Sequence, residues 1–465
     1  MNPNLKAAMK QSTSLSQADR EQTHRSADIP VRSNLRAVRV VWPNDRATLL
    51  RTGMSALRSK TCFALLVFVV TASHLSAAPH LIPGLTGPTF NLSAKDGYIS
   101  TPDGNSIYCW GYANGNGLMQ YPGPTLIVNQ GDNVTVNLTN RLSVPVSIIF
   151  PGQSNVVASG GVAGLITREA PPGGMVSYSF RADEPGTYLY ESATRQDIQN
   201  EMGLFGAFLV RPTGVTTQAY AQVGTAFDHE FLFLLSEMDP RVHDLIDLGL
   251  IDQVDTTTFF PVYWFINGRC SPDTMSADFA AWLPNQPYSC LPRMRPGEKV
   301  LLRLIGAGRD LHPFHHHGAN SLTIARGGRM LQSAPGAGPD LAESDFTITV
   351  IPGGTADAIW TWTGEKLGWD IYGHKPTDPM APYEYGPDHG KPFPVKLPGI
   401  QDVFLGENWP GSPFLGQTGF LPPSQVNYNP GGSFVHMWHS HNEKEIVNND
   451  IFPGGLMTMV FIDPW

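Results

Sequence analysis

Cysteine is scarce in this chain, with four residues among 465, at positions 62, 109, 270 and 290. That scarcity excludes a disulfide-dense scaffold and any module built on several cysteine metal ligands. Cys62 lies inside an apolar run. Cys109, in the strand-like segment 106–111, reads as a small buried apolar residue. Cys270 and Cys290 bracket a proline-rich loop, and an exported protein could bridge them. Charge is low as well: Asp, Glu, Lys and Arg make up 15% of the chain, and the formal net charge of −9 argues against nucleic acid as a partner. Long apolar runs are lacking. The one near the start, Cys62 to Leu75, is too short for a comfortable membrane span, so no stable span is expected once it is removed.

The first 53 residues are polar and unpatterned. Met54 then opens a stretch carrying Arg58 and Lys60, followed by the apolar run and by Ser76, Ala77, Ala78 and Pro79. A basic segment, a short apolar core and small residues make a secretory signal peptide. The expectation is a translation start at Met54, with 1–53 a non-native or disordered leader and 54–78 the signal peptide. The mature protein, secreted or periplasmic, then begins near Ala77 to His80. A signal anchor is the alternative.

What the chain has in abundance is glycine (47) and proline (40), a mix that favours short strands and turns. From about residue 86 the pattern has period two: 125–129, 131–139, 176–180 and 188–190, then 263–267, 299–305, 346–350 and 358–362. Short helical stretches are expected around 196–202 and 239–252. The two series repeat one plan. Gln130-Gly131-Asp132 matches Pro296-Gly297-Glu298, and Pro172-Gly173-Gly174 matches Pro352-Gly353-Gly354. The fold class expected is all-β, as two Greek-key β-sandwiches over 86–212 and 228–465, with a long irregular excursion at 373–430.

Two strings carry the chemistry, His312-Pro-Phe-His315-His316-His317-Gly318 and His436-Met-Trp-His439-Ser440-His441. Each holds histidines two apart, so on a strand the rings of a pair leave one face. Neighbouring strands would bring His315, His317, His439 and His441 to one point. Imidazole suits copper, zinc, iron or nickel rather than calcium or magnesium. His316 should point away, as should His436.

These strings, in this order on this β pattern, resemble those of the multicopper oxidases, built from cupredoxin-like domains; the likeness covers residues 86–465. The first string is similar to that family's His-Pro-x-His-x-His-Gly motif and the second to its His-Cys-His motif. The resemblance implies copper. His312 matches a type 1 ligand, His315 a type 2 ligand, and His317, His439 and His441 match type 3 ligands. It also marks departures. Ser440 stands at the position of the type 1 cysteine, Glu445 at that of the second type 1 histidine, and Met457 comes late for the axial methionine. A serine hydroxyl cannot replace the thiolate that such a site needs. In the first half, Ile149, Pro151 and Ala193 stand at three ligand positions and Glu191 at a fourth, where a carboxylate could still ligate.

The reading is an exported copper-binding oxidoreductase holding one or two copper ions, or zinc or another transition metal, at the domain interface, with no type 1 copper. It would act on a small molecule or a metal ion, with a homotrimer possible by analogy. The alternatives are a non-catalytic metal-binding or copper-handling protein and a structural or assembly module with relic histidines. Glu443, Lys444 and Glu445 are candidates for supporting the metal or carrying a proton; the competing reading is a solvated turn. His374 and His389, in the long loop, could approach the site.

Overall fold

The computed structural model describes residues 79–372, 374–392 and 434–463. The leader, the signal peptide and most of the 373–430 excursion lie outside the described residues. Strands dominate, and two sandwiches follow one another along the chain. In the first, the sheet ordered Leu85–Thr86, Gly123–Asn129, Phe205–Arg211, Gly186–Glu191 packs against Ser106–Asn114, Thr89–Ser100, Asn133–Asn140, Met175–Arg181, Val157–Gly160. Asn133–Asn140 shows why: Val134, Val136 and Leu138 are buried, while the residues between them face outward. In the second sandwich, His229–Met238, Lys299–Gly306 and Thr355–Thr361 form the middle of one sheet. The facing sheet runs Arg293–Met294, Met457–Ile462, Phe434–Ser440, His312–His316, Thr347–Val350. The helices are short, Gln196–Gln199 and Pro240–Asp247, the latter capped by the Asp239 carboxylate. Among the described residues no helix is long and apolar enough to cross a membrane.

The internal repeat has a backbone counterpart. Gly131 and Gly297 occupy the left-handed region at φ 90° and 86°, each opening the turn before a core strand. An apolar seam joins the sandwiches: Ile99, Cys109, Leu189, Phe205 and Leu209 from the first meet Leu232, Leu234, Phe265 and Ile305 from the second. Each large side chain fully buried there contributes roughly 1.5–3 kcal/mol. A buried ion cluster crosses the same seam. Glu230 bonds Arg211 of the first sandwich, and its other oxygen lies 2.9 Å from Arg303 Nε.

Candidate metal centre

Strand His312–His316 runs antiparallel to Phe434–Ser440, with His315 opposite His439 and Phe314 opposite Ser440. Alternation sends His312, Phe314, His316, Trp438 and Ser440 into the core, all of them buried. His315 and His439 therefore share the opposite face, and His317 joins them just past the strand end. One ring nitrogen from each of His315, His317 and His439 lies within 4.8 Å of the others. His317 Nε2 and His439 Nε2 are 3.2 Å apart, close to the roughly 3.3 Å separating two ligands on one tetrahedral zinc or similar ion. His441 stands beside them, exposed, its ring centroid 4.9 Å from that of His315 and 6.0 Å from that of His439.

The neighbours leave the right nitrogens available. His315 Nδ1 is 2.8 Å from Thr347 Oγ1, and His439 Nδ1 donates to the Ser440 carbonyl at 2.6 Å. Both rings thus present Nε2 toward the cluster, an orientation that such hydrogen bonds commonly fix in metal sites. Burial, and then the neighbouring imidazoles, lower the pKa of His317 to about 4. Burial lowers that of His439 to about 4 as well. Burial and His441 lower His315. Neutral imidazoles at physiological pH keep their lone pairs for a metal. This all-nitrogen donor set fits copper, or zinc in its place. Gly318, at φ 102°, ends the string; a Cβ there would lie 2.8 Å from the His436 ring.

The cluster does not lie between the sandwiches. It opens on a hollow of ≈ 610 Å³ whose lining, including Phe346, Trp362 and Leu367, comes wholly from the second sandwich. That corrects the expectation of a site at the domain interface within one chain.

His312, expected among the metal ligands, is held elsewhere. Its Nε2 is 3.0 Å from Glu237 Oε2 and its Nδ1 2.9 Å from Glu445 Oε2, and the ring is fully buried. Burial alone would lower its pKa, but the hydrogen bonds to Glu237 and Glu445 outweigh it and raise the value to about 9. An imidazolium donating from both nitrogens has no lone pair for a metal. Ser440 is buried beside this group and its Oγ accepts from the Asn442 N–H, while Asn442 Nδ2 donates to Glu445 Oε1. Met457 pairs with His439 in the ladder, which puts it on the cluster's face of the sheet and not on that of His312.

Glu191 also stands apart from the imidazoles. It bridges to Ile149 in the first sandwich just as His439 pairs with His315 in the second, so the repeat holds at this position. Its side chain lines a cavity of ≈ 90 Å³ with Glu201, Glu237, Asn200 and Arg309, and Asn200 Nδ2 donates to it at 2.8 Å. Burial raises its pKa to about 7. The expectation that it faces the cluster is corrected: none of the cluster imidazoles lines the cavity it borders, and it is not among the residues that converge with them.

The remaining histidines divide. His316 is buried, and its Nε2 accepts the Ser321 N–H at 3.0 Å. His436 packs edge-on against Trp362. Cys270 and Cys290 are free thiols in different cores, so the bridge considered from their spacing is corrected. Cys109 is buried, and burial raises its pKa. Glu237 was not legible as part of a site: it sits mid-pattern in a fully buried strand with no motif around it. A second group, Asp370, His374, Glu384 and His389, gathers in the loop after the last strand of the larger sheet. The spacings Asp370-x₃-His374 and Glu384-x₄-His389 were the available signal.

Comparisons with known proteins bear on the family and the fold. A family model described as "Multicopper oxidase" matches residues 97–214. A protein named "Laccase abr2" from Aspergillus fumigatus is 39% identical over 95 residues, 20% of this chain and 16% of its own length. "Laccase 1" from Metarhizium majus is 30% identical over 158 residues, 34% of this chain and 24% of its own length. The matches thus span about a quarter or less of these relatives. Among solved structures, the blue copper oxidase from Nitrosomonas europaea superposes with a TM-score of 0.50 at 20% identity, over 80% of this chain and 85% of that one.

Proposed function

The chain belongs to the multicopper oxidase family, and from that premise we propose that it is an exported copper-dependent oxidoreductase with a reduced, histidine-ligated copper site and no thiolate-bound copper. The observation that carries this reading is the convergence of His315, His317 and His439, with His441 at the open side. Bound copper would supply one-electron chemistry toward dioxygen. The chain's own part is to hold it: Thr347 and the Ser440 carbonyl orient two of the rings, and the ladder fixes their spacing.

A missing thiolate changes how electrons enter. The His312 position holds an ion triad, so a reductant has to reach the imidazoles through the open hollow. Phe346, Trp362 and Leu367 give that hollow an apolar wall suited to a small organic reductant, and the imidazoles would also receive a metal ion. The open face supports a homotrimer in which another copy covers the cluster. Sedimentation of the mature protein at a trimer mass is the expected result.

The test is oxygen uptake by the copper-loaded protein with phenolic and metal-ion reductants, beside the His317→Ala variant. Uptake that the variant loses supports the oxidoreductase. Copper bound without uptake favours a copper-handling protein, a reading helped by the loss of imidazoles at Ile149 and Ala193. Equal copper on parent and variant sinks both.

A further inference from the structure

The second histidine–carboxylate group lies in a stretch with little regular structure. From residue 364 to 392 the described backbone is turns, with one short 3₁₀ segment at Gly386–Asp388. Such a stretch gains few ladder hydrogen bonds, so something else must fix it. Part of the answer is apolar: Trp369, Ile371 and Tyr372 join the core of the second sandwich. The other part is polar. Asp370 is buried, its two oxygens accepting the N–H groups of Tyr372 and Gly390, each at 2.7 Å. Glu384 accepts the Ala381 N–H at 2.8 Å and is almost fully covered. Two carboxylates held by backbone donors are thus brought together under a loop.

Two imidazoles complete the group. His389 Nδ1 is 2.7 Å from Glu384 Oε1 and 4.0 Å from Asp370 Oδ2. His374 Nδ1 lies 3.4 Å from Asp370 Oδ2 and 3.5 Å from Glu384 Oε2. That nitrogen is inaccessible to solvent and makes no hydrogen bond, although carboxylates stand on both sides of it. The His374 ring is held flat against Tyr372, centroids 5.7 Å apart at 8°. Four donor atoms, one from each residue, fall within 4.8 Å of one another. A tetrahedral ion with bonds of about 2.0–2.1 Å has ligands about 3.3 Å apart, and the separations here straddle that value. As metal ligands the imidazoles would be neutral, so that with the two carboxylates the donor set would carry −2, which a divalent ion cancels.

We propose that Asp370, His374, Glu384 and His389 form a second metal site, separate from the imidazole cluster, which binds a divalent transition ion of the zinc type. The ion clips residues 369–391 onto the second sandwich. Four protein ligands on one ion leave no position open for chemistry, which is the arrangement of a structural site. Metal affinity then becomes stability of the loop. The loop also borders the hollow through Leu367, so the clip holds one wall of the candidate centre.

The test uses the full mature chain with His315, His317 and His439 all changed to alanine, so that the outcome is independent of the copper reading. After chelation and zinc titration, bound zinc is measured by mass spectrometry, beside the same protein carrying His374→Ala and His389→Ala. The expected result is one tightly held equivalent in the first and none in the second. Equal zinc in the two overturns the proposal. Should the double loop variant not fold, proteolysis of the first protein with and without zinc decides. Zinc is expected to slow cleavage within 374–392 at least tenfold, and unchanged cleavage would mean an ion-paired loop without metal.

Discussion

His312 Nδ1 stands 2.9 Å from Glu445 Oε2, with Glu237 on the other side of the ring. A buried imidazole needs hydrogen-bond partners, and the two carboxylates supply them here. Glu445 reaches it from the 3₁₀ segment Glu443–Glu445, and Glu237 from the neighbouring sheet. Copper-loaded protein is therefore expected to lack the intense thiolate-to-copper absorption band. Ser440→Cys alone should not restore it, because both carboxylates still occupy the His312 nitrogens. Ser440→Cys with Glu445→His should restore some of it. A blue single variant would refute the argument.

The same triad predicts a pH dependence. The pKa of His312 is raised from 6.5 to about 9 in the folded chain. A raised value stabilises the fold fully below about 6.5, and that contribution is lost as pH rises through about 9. A shift of this size corresponds to roughly 3 kcal/mol. Denaturant melts at pH 6 and pH 9.5 should differ by that order. His312→Gln should remove most of the difference, and an unchanged slope in that variant would assign the effect to other groups.

Within the cluster, alanine at His317 or His439 should reduce bound copper sharply. Alanine at His316 should leave copper nearly unchanged but cost about 1–3 kcal/mol, because the buried Ser321 N–H loses its acceptor. Thr347→Val should weaken copper affinity by about 10–100-fold through loss of the His315 orientation. Isothermal titration with copper and urea melts separate the two effects. Copper loss in the His316 variant equal to that in His317 would contradict the face assignment.

How much of this was legible in the chain depends on locality. The strand alternation that separates His315 and His439 from His312 and Trp438 is a period-two pattern, visible in any ten residues. The matched turns at Gly131 and Gly297 are local too, since only a left-handed turn demands glycine there. Glu445 was singled out, because it sits at a motif position, but its partner Glu237 was not. Their meeting at His312 is a tertiary event between residues more than 200 apart in sequence. Glu191 was misplaced for a similar reason. Its register in the first sandwich follows the repeat, but the cavity it faces is set by how the sandwiches dock, and no local pattern encodes docking.

That docking rests in part on Glu230, and its removal gives the last prediction. Glu230 is fully buried between Arg303 of its own sandwich and Arg211 of the other. Burial would raise its pKa, but the two guanidinium groups outweigh burial and lower it. Arg303 further meets Thr187 Oγ1 at 3.0 Å and lies 3.6 Å from Asp357 Oδ1, so the cluster ties five strands across the seam. Glu230→Ala leaves Arg303 buried with half of its compensation gone. Breaking a buried pair on one side costs about 3–5 kcal/mol. The variant should therefore unfold at clearly lower denaturant than the parent. Replacing Glu230 and Arg303 together, by Gln and Met, should recover part of the loss, since Arg303 is then no longer stranded, while Arg211 and Asp357 each lose one partner. If the double variant is as unstable as the sum of the single ones, the cluster's residues act separately and the clamp between the sandwiches is the apolar seam alone.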